Sequence, residues 1–334
     1  MQSVPENLTE GDSAFIEQTC IPFLLKTQNK DGGWGFFANS DSRVEATSWA
    51  LLALRESPSE DREEIRRGLD FLRSTQLADG SWPSAQGQQE GSWVTALACW
   101  ALGSATASAT ISTPISAPIS ATESQRSLSQ GLAWLGNERP ADSRAWRRFL
   151  RRLVADKDIV AQDDAYYGWS WTPDTASWVE PTSYALLVLR RFAARVASNV
   201  FRDRLRVAES MLLDRMCPGG GWNCGNPMVY GAPGEAQIGP TVWALLALRQ
   251  MPEREEIRRS LEWLENGWQS VSSPVSLALA QICLRSYGRP TSAVRDALCN
   301  AYSSEDAIRS VPGVAWSVLA MSSTQNWLNT AAPA

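Results

Sequence analysis

Two kinds of hydrophobic pattern alternate along the chain. In the first, apolar residues recur every three to four positions opposite a charged face, as in REEIRRGLDFLRS from Arg62 and EREEIRRSLEWLE from Glu253. In the second, nearly every position is apolar, as in VEATSWALLAL from Val44, VEPTSYALLVL from Val179 and IGPTVWALLAL from Ile238. The first pattern predicts a helix with one face in solvent, and the second predicts a helix that is buried on most sides.

The two patterns alternate six times. The amphipathic segments start near residues 14, 61, 125, 202, 252 and 291, and the apolar segments start near residues 43, 92, 178, 238, 274 and 313. Neither kind of helix can bury its apolar surface alone. The alternation therefore predicts an all-α fold, an α6/α6 toroid of six outer–inner helical hairpins around a central cavity.

The repeat predicts one toroid domain over residues 14–323, with terminal tails at 1–13 and 324–334. Two insertions interrupt it. Residues 104–124 (SATASATISTPISAPISATES) have the low complexity of a flexible surface loop. Residues 138–176 form a second insertion, which we expect to be partly helical and rich in aromatic side chains.

Residues 144–154 of the second insertion combine five arginines with an apolar face. Such a helix can lie on an anionic membrane, or it can pack on the rim of the toroid with its arginines in solvent. The first residues of the chain lack the basic and apolar regions of a secretory signal, and no apolar run reaches 18 residues. We therefore expect a cytoplasmic protein, with peripheral membrane contact through 144–154 as an open alternative.

The amino-acid composition excludes several kinds of catalytic and binding site. The 334 residues include no histidine, 16 tryptophans and six scattered cysteines, and the net charge is −5. Without histidine this chain has no His-ligated metal site and no imidazole base. The acidic balance gives no electrostatic footprint for nucleic acid. We expect reduced cysteines, no metal and no cofactor, and the sequence does not indicate an oligomeric state.

A shorter motif repeats where an outer segment ends. FLLKTQNKDGGW spans Phe23–Trp34 and FLRSTQLADGSW spans Phe71–Trp82, and both read Gln, three residues, Gly, one residue, Trp. A looser copy, MLLDRMCPGGGW, spans Met211–Trp222. In that copy we assign Cys217 to the glutamine position, in a loop one residue shorter.

These units resemble the QW repeats of squalene-hopene cyclases and other class II terpene cyclases. The ring of paired helices resembles the fold that those cyclases share with the β-subunits of protein prenyltransferases. The resemblance implies that each motif glutamine bonds the start of a neighbouring helix. It also implies a protein that binds, cyclises or isomerises a polyprenyl or triterpene substrate in a central aromatic cavity.

The chain departs from the catalytic motifs of these families. The Asp-x-Asp-Asp acid of class II cyclases has its nearest counterpart in TPDTA at Thr172–Ala176, where Pro173 stands at the position of the acid. The zinc site of the prenyltransferases needs a histidine, which the chain lacks. If the protein is an enzyme, its acid is expected to be Asp174, Glu180 or Glu45.

Each candidate acid has a structural alternative. Glu45 and Glu180 stand at equivalent places at the start of inner helices, where they could form an acid pair at the mouth of the ring. They could equally belong to capping boxes with Ser42 and Ser177. Asp174 could be a relocated acid or an ordinary turn carboxylate.

Aromatic residues supply the candidates for substrate binding. Four of them share one position in the inner segments and could form a cation-stabilising wall or pack between the layers: Trp49, Tyr184, Trp243 and Trp316. Three more lie in the second insertion or at its end, and could roof the cavity or form a degenerate Gly-Trp repeat: Trp169, Trp171 and Trp178.

Two other classes of protein stay open. The first is a catalytically silent toroid that binds a protein or lipid partner, which the missing acid, metal and histidine favour. The second is a carbohydrate-active helical barrel with Glu45 and Glu180 as its carboxylate pair. A ring centre filled by side chains would favour the silent toroid, and a dry aromatic pocket would favour an enzyme acting on an apolar isoprenoid.

Overall fold

Outer and inner helices alternate along the chain of this computed structural model, which describes residues 14–56, 63–112, 119–146, 162–163, 165–192, 199–302, 310–322 and 325–328. The outer helices are α1 (Ile21–Lys26, preceded by a π-helical turn at Ile16–Cys20), α3 (Glu63–Ser74), α5 (Ile119–Asn137), α7 (Asn199–Asp214), α9 (Glu255–Gly267) and α11 (Ser292–Ala301). The inner helices are α2 (Val44–Arg55), α4 (Val94–Ser112), α6 (Val179–Phe192), α8 (Ile238–Ala247), α10 (Pro274–Ser286) and α12 (Val311–Met321). Short 3-10 turns lie at Ala141–Ser143, Trp268–Ser270 and Asn326–Leu328, and a small hairpin pairs β1 (Met228–Val229) with β2 (Ala232–Pro233).

The six inner helices form the central layer. Each packs against the next inner helix along the chain, and α12 packs against α2, so that the contacts return to the first helix. The outer helices pack on this layer with their apolar faces, for example through Ile65 and Leu72 of α3 and through Ile257 and Leu264 of α9. The all-α fold and the predicted order of outer and inner helices are confirmed.

The glutamines of the two strict motifs tie successive outer helices together. Gln28 Nε2 donates to the Gly32 carbonyl at 2.8 Å and to the Glu64 carbonyl, in the first turn of α3, at 2.8 Å. Gln76 Nε2 donates to the Gly80 carbonyl at 2.8 Å and to a carbonyl of α5 at 2.9 Å. The bond to the start of a neighbouring helix that the resemblance implied is therefore present at Gln28, whereas Gln76 bonds Ser127, further along α5.

The motif tryptophans tie each outer helix to the following inner helix. The Trp34 backbone N–H donates to Thr47 Oγ1 on α2 at 2.9 Å, and Trp34 Nε1 donates to the Leu24 carbonyl on α1 at 2.7 Å. The same two bonds recur at three further tryptophans: Trp82, Trp169 and Trp222. Trp169 thus belongs to a fourth, degenerate repeat, the alternative that the Gly-Trp pair at 168–169 had suggested.

The assignment of Cys217 to the glutamine position is wrong. Its backbone N–H donates to the Gly221 carbonyl at 2.9 Å, the bond that the Asn29 N–H makes to the Gly33 carbonyl in the first motif. Cys217 therefore corresponds to Asn29, and Met216 takes the place of the glutamine. The Met216 sulfur accepts from Ser260 Oγ on α9 at 3.4 Å, so a weaker bond replaces the glutamine tie in a loop of the same length.

Gly32 turns the chain from the outer to the inner layer. Its φ is +88°, and a Cβ there would lie 2.4 Å from the Arg67 carbonyl oxygen of α3. Only glycine combines this left-handed backbone with so close an approach.

Replacing Gln76 by alanine should lower the free energy of unfolding by about 1–2 kcal/mol, since two carbonyls lose their donor. Urea unfolding followed by circular dichroism measures this loss. Gln130→Ala, on the exposed face of α5, is the control and should change stability by less than about 0.5 kcal/mol. Equal midpoints for the two variants would show that the tie does not stabilise the ring.

The prediction that residues 104–124 form a loop is wrong over the part that the structure describes. Helix α4 continues to Ser112 and helix α5 begins at Ile119. The Ala- and Ser-rich ends of the insertion carry no glycine or proline between 104 and 112, so nothing stops α4 there. Most of the predicted membrane-contact segment, residues 147–154, lies outside the described residues, and no described helix is long and apolar enough to cross a membrane.

Candidate functional site

Six aromatic rings meet at the centre of the inner layer, and we call them the central aromatic stack: Trp49, Trp100, Tyr184, Trp243, Trp316 and Trp327. The Trp49 ring centroid lies 5.4 Å from that of Trp243, 5.5 Å from that of Trp316 and 6.4 Å from that of Trp327. Trp49 is fully buried. The rings touch one another, so side chains occupy the centre where the sequence predicted a cavity.

Four members of this stack occupy the equivalent position of the inner helices that the sequence analysis singled out. Trp49 on α2, Tyr184 on α6, Trp243 on α8 and Trp316 on α12 meet at the centre. Sequence reasoning missed Trp100, which lies further along α4. It also missed Trp327, which comes from the 3-10 turn after the last inner helix.

Three indole N–H groups at this centre lack an acceptor. Trp49 Nε1, Trp316 Nε1 and Trp327 Nε1 are buried and make no hydrogen bond within the described residues. By contrast, Trp100 Nε1 donates to the Trp327 carbonyl at 2.7 Å. A buried donor without a partner costs about 1–3 kcal/mol, so the centre holds unused hydrogen-bonding capacity.

Two carboxyl groups lie at one end of the stack, where the inner helices begin. Glu45 and Glu180 each occupy the second residue of their helix, and both are half-buried. A Cβ at Gly239, the corresponding residue of α8, would lie 3.7 Å from Glu180 Oε1. We call this end the glutamate mouth.

Burial controls the ionisation of this pair. Burial raises the pKa of Glu180 to about 7, and burial together with the charge of Glu180 raises the pKa of Glu45 to about 7. Burial, and then the charges of both glutamates, raises the pKa of the Tyr184 phenol well above its ordinary value. The charges of these groups therefore affect one another's ionisation. With pKa values of about 7, the two carboxyls can release or accept a proton near neutral pH.

The capping-box interpretation of Glu45 and Glu180 is wrong. Arg43, not Ser42, precedes α2 as its N-cap residue. Ser42 Oγ donates to Asp31 Oδ1 at 2.8 Å, and Ser177 Oγ donates to Asp142 Oδ1 at 2.9 Å. Both serines thus bind loop carboxylates, and the two glutamates face the mouth instead.

Aromatic rings also line the glutamate mouth. Trp93, just before α4, stacks on Tyr184 with a centroid distance of 5.5 Å, and Trp171 packs edge-on against Trp93 at 4.8 Å. The Trp93 N–H donates to the Trp171 carbonyl at 3.2 Å. Trp171 was a predicted binding residue, whereas Trp93 was not, although it lies at the start of the inner segment that the sequence placed near residue 92.

The other predicted residues lie elsewhere. Trp169 is held between the layers by its repeat bonds, and Trp178 pairs with it through a backbone bond of 3.0 Å. Asp174 lies in an exposed turn, where its carboxylate pairs with Arg144. The structure therefore does not bring Asp174 to the two glutamates.

A third buried carboxyl, Glu138, lies behind Trp93 and was not found from the sequence. Burial raises its pKa to about 7, although Arg204 lies 4.0 Å away. Glu138 and Trp93 line a cavity of about 10 Å³, which is room for one water molecule. Because Glu138 Oε2 has no hydrogen-bond partner among the described residues, one water here would satisfy it.

The described residues contain no group of three or more Cys, Asp or Glu side chains placed to hold a metal ion. Two neighbouring carboxyls with pKa values of about 7 can act as a proton donor and a proton acceptor.

The pH dependence of stability tests the raised pKa values. Because the folded carboxyls hold their protons to about pH 7 whereas unfolded ones ionise near 4.5, stability should fall between pH 5 and pH 8. Glu45→Gln/Glu180→Gln should remove on the order of 3 kcal/mol of that fall, after allowance for partial exposure. Urea unfolding at each pH measures it, with Glu235→Gln as the exposed control. Parallel pH profiles for both variants would contradict the raised pKa values.

Known proteins resemble this chain in two ways, first in sequence. The family model of the squalene-hopene cyclase C-terminal domain matches residues 3–92. The chain is 34% identical over 84 residues to the lanosterol synthase of Saccharomyces cerevisiae, which is 22% of this chain and 11% of that protein. It is 38% identical over 71 residues to the squalene-hopene cyclase of Bradyrhizobium diazoefficiens, which is 18% of this chain and 11% of that protein. The matched stretches thus span about a tenth of these relatives.

The second likeness is in the fold. The type II terpene cyclase MstE from Scytonema aligns with a TM-score of 0.51 and 16% identity, over 88% of this chain and 78% of that chain. A variant of MstE has been solved with geranylgeranyl dihydroxybenzoate as its substrate, and aligns with a TM-score of 0.50. Together, these findings make the chain similar to class II terpene cyclases in sequence over residues 3–92 and in overall fold.

Proposed function

We propose that the protein binds an apolar, isoprenoid-type molecule at the glutamate mouth and isomerises it by proton transfer through Glu45 and Glu180. The observation that carries this proposal is a pair of carboxyls with pKa values of about 7 beside an aromatic surface. The similarity to terpene cyclases supports an isoprenoid ligand, since MstE, a protein of similar fold, has been solved with geranylgeranyl dihydroxybenzoate as its substrate.

The raised pKa values of Glu45 and Glu180 favour one type of reaction over another. Protonating an unactivated alkene needs a strong acid, and a carboxyl with a pKa of about 7 has roughly 3 kcal/mol less driving force than an ordinary glutamic acid. As its conjugate base, such a carboxyl suits the removal of a proton that a carbonyl group acidifies, directly or through a conjugated double bond. The expected substrate is therefore an isoprenoid that bears a carbonyl, rather than a hydrocarbon that must be cyclised.

Glu45, Glu180 and Tyr184 have different roles in the proposed proton transfer. One ionised glutamate removes a proton from the carbon next to the double bond that is conjugated with the carbonyl, and the electron pair of that C–H bond moves through the double bond towards the carbonyl oxygen. The protonated partner and the Tyr184 hydroxyl donate hydrogen bonds to that oxygen. Return of the proton to a different carbon shifts the double bond and regenerates the carboxylate.

Deuterium uptake tests the proposal. Purified protein is incubated in deuterium oxide with farnesal, and with squalene and geranylgeranyl diphosphate as ligands without the carbonyl. Mass spectrometry should show catalysed uptake into farnesal only, reduced at least 100-fold in Glu45→Gln/Glu180→Gln. Asp174→Asn, an exposed carboxyl outside the mouth, is the matched control and should keep the wild-type rate. No uptake and no binding with any of the three ligands would exclude the function.

A second candidate function is a catalytically silent toroid that binds a protein or lipid partner. The packed central aromatic stack favours it, because side chains occupy the space where a substrate would lie. The same experiment separates the two, since binding of an isoprenoid without deuterium uptake supports the silent toroid.

A further inference from the structure

The end of the ring opposite the glutamate mouth is closed by a short piece of the same chain. We call residues Gln325–Leu328 the plug segment. Trp327 of this segment is 2% exposed, and its ring lies 5.4 Å from Trp100 and 6.4 Å from Trp49. The plug segment therefore contributes one ring of the central aromatic stack, and it does so from outside the twelve helices.

Polar side chains hold the backbone of Trp327 at this end. Trp100 Nε1 donates to the Trp327 carbonyl at 2.7 Å, and Arg191 donates to the same oxygen. The Trp327 N–H donates to Glu56 Oε1 at 3.0 Å. Side chains from α4, from α6 and from the end of α2 thus hydrogen-bond to the N–H and the carbonyl of Trp327.

This arrangement has the composition of a ligand site. An apolar aromatic pocket with a few converging polar groups is the usual form of a site that binds a small molecule or a peptide side chain. Trp327 is bound through its carbonyl and its N–H as well as through its ring. Its contacts are those of a bound aromatic residue.

The plug segment also leaves hydrogen-bond donors in this pocket unpaired. Trp327 Nε1 is buried without an acceptor, and so is Trp49 Nε1 beside it. A different occupant with an added oxygen acceptor would pair the Trp49 donor, which Trp327 does not do. The site therefore has recognition capacity beyond what its present occupant uses.

We propose that the space filled by Trp327 is a ligand site for a flat aromatic group with a neighbouring carbonyl oxygen, and that the plug segment occupies it as a built-in competing ligand. A ligand of this class replaces the indole in the pocket and its carbonyl takes the donors of Trp100 and Arg191. This site lies at the other end of the stack from Glu45 and Glu180, so the proposal does not depend on the proposed function.

Binding of N-acetyl-L-tryptophanamide tests the proposal, since this probe carries the indole, the carbonyl and the N–H of the segment. A chain ending at Ser322 lacks the plug segment and should bind one equivalent of probe in calorimetry, at least 10-fold more tightly than the full chain. Folding is verified by circular dichroism. A folded, shortened chain that does not bind the probe would overturn the proposal.

Two full-length variants guard against a shortened chain that does not fold. Glu56→Ala removes the acceptor of the Trp327 N–H, and should both speed hydrogen exchange of the plug segment, residues 325–328, and permit probe binding. Neither change would be seen if the segment were simply part of the core. Trp82→Ala is the matched control, because it deletes an equally buried indole between the layers. Equal probe binding by Trp82→Ala would show a general cavity effect and reject the site.

Discussion

Trp49→Ala should lower the free energy of unfolding by about 3–5 kcal/mol, the usual cost of deleting a large aromatic side chain from a packed core. The Trp49 ring is fully buried and lies within 6.4 Å of five other aromatic rings. Its removal leaves a cavity that several helices would have to move to fill. Equilibrium unfolding in urea, with the midpoint and slope compared, measures the loss.

The result also decides what the centre of the ring is. If the centre were an open, substrate-sized cavity, the Trp49 ring would lie on its wall, and truncation would cost far less than a core substitution. Trp146→Ala is the control, since that indole is 56% exposed. A loss at Trp49 no larger than the loss at Trp146 would contradict the packed aromatic centre.

The repeat made the fold predictable. Alternating amphipathic and all-apolar segments fixed the order of the layers, because the helical period is written into the positions of apolar residues such as Ile65 and Leu72. The motif tryptophans were equally readable, since their spacing to a threonine of the next helix recurs at Trp34 and Trp82. Ends of helices were less certain, as the Ala- and Ser-rich continuation of α4 shows.

Only the residues of the site that share a position in the repeat could be predicted from the sequence. Trp49 and Tyr184 could be placed together because they share a position in the repeat, and Glu45 and Glu180 share another. Trp327 follows the last repeat, so nothing in the sequence indicated that its ring enters the stack. The state of the glutamates also depends on burial, which spacing alone does not report.

The loop before α6 carries Trp171 to the glutamate mouth, and one buried cation holds that loop. Arg204 of α7 is 4% exposed, and its guanidinium donates to the carbonyls of Tyr167 and Gly168. The guanidinium carbon lies 3.9 Å from the centre of the Trp169 ring, an energetically favourable cation–π contact. Glu138 supplies the nearest carboxyl at 4.0 Å.

Arg204→Met should lower the free energy of unfolding by about 3–5 kcal/mol, because it removes the cation next to the Glu138 carboxyl and leaves the Tyr167 and Gly168 carbonyls without their donor. The effect should include the mouth, since the freed loop no longer presents Trp171 to Trp93. Urea unfolding measures the first effect, and the affinity for an isoprenoid ligand measures the second. Arg204 acts here as a positioning residue.

Two comparisons distinguish this positioning role from loss of packing. Arg206→Met, on the same helix, removes a 74% exposed side chain and should change stability by less than about 0.5 kcal/mol. The double variant Arg204→Met/Glu138→Leu should recover part of the loss, because it removes the uncompensated carboxyl together with its cation. Additive losses would mean that Glu138 does not depend on Arg204, and the buried pair would then have no part in holding the mouth.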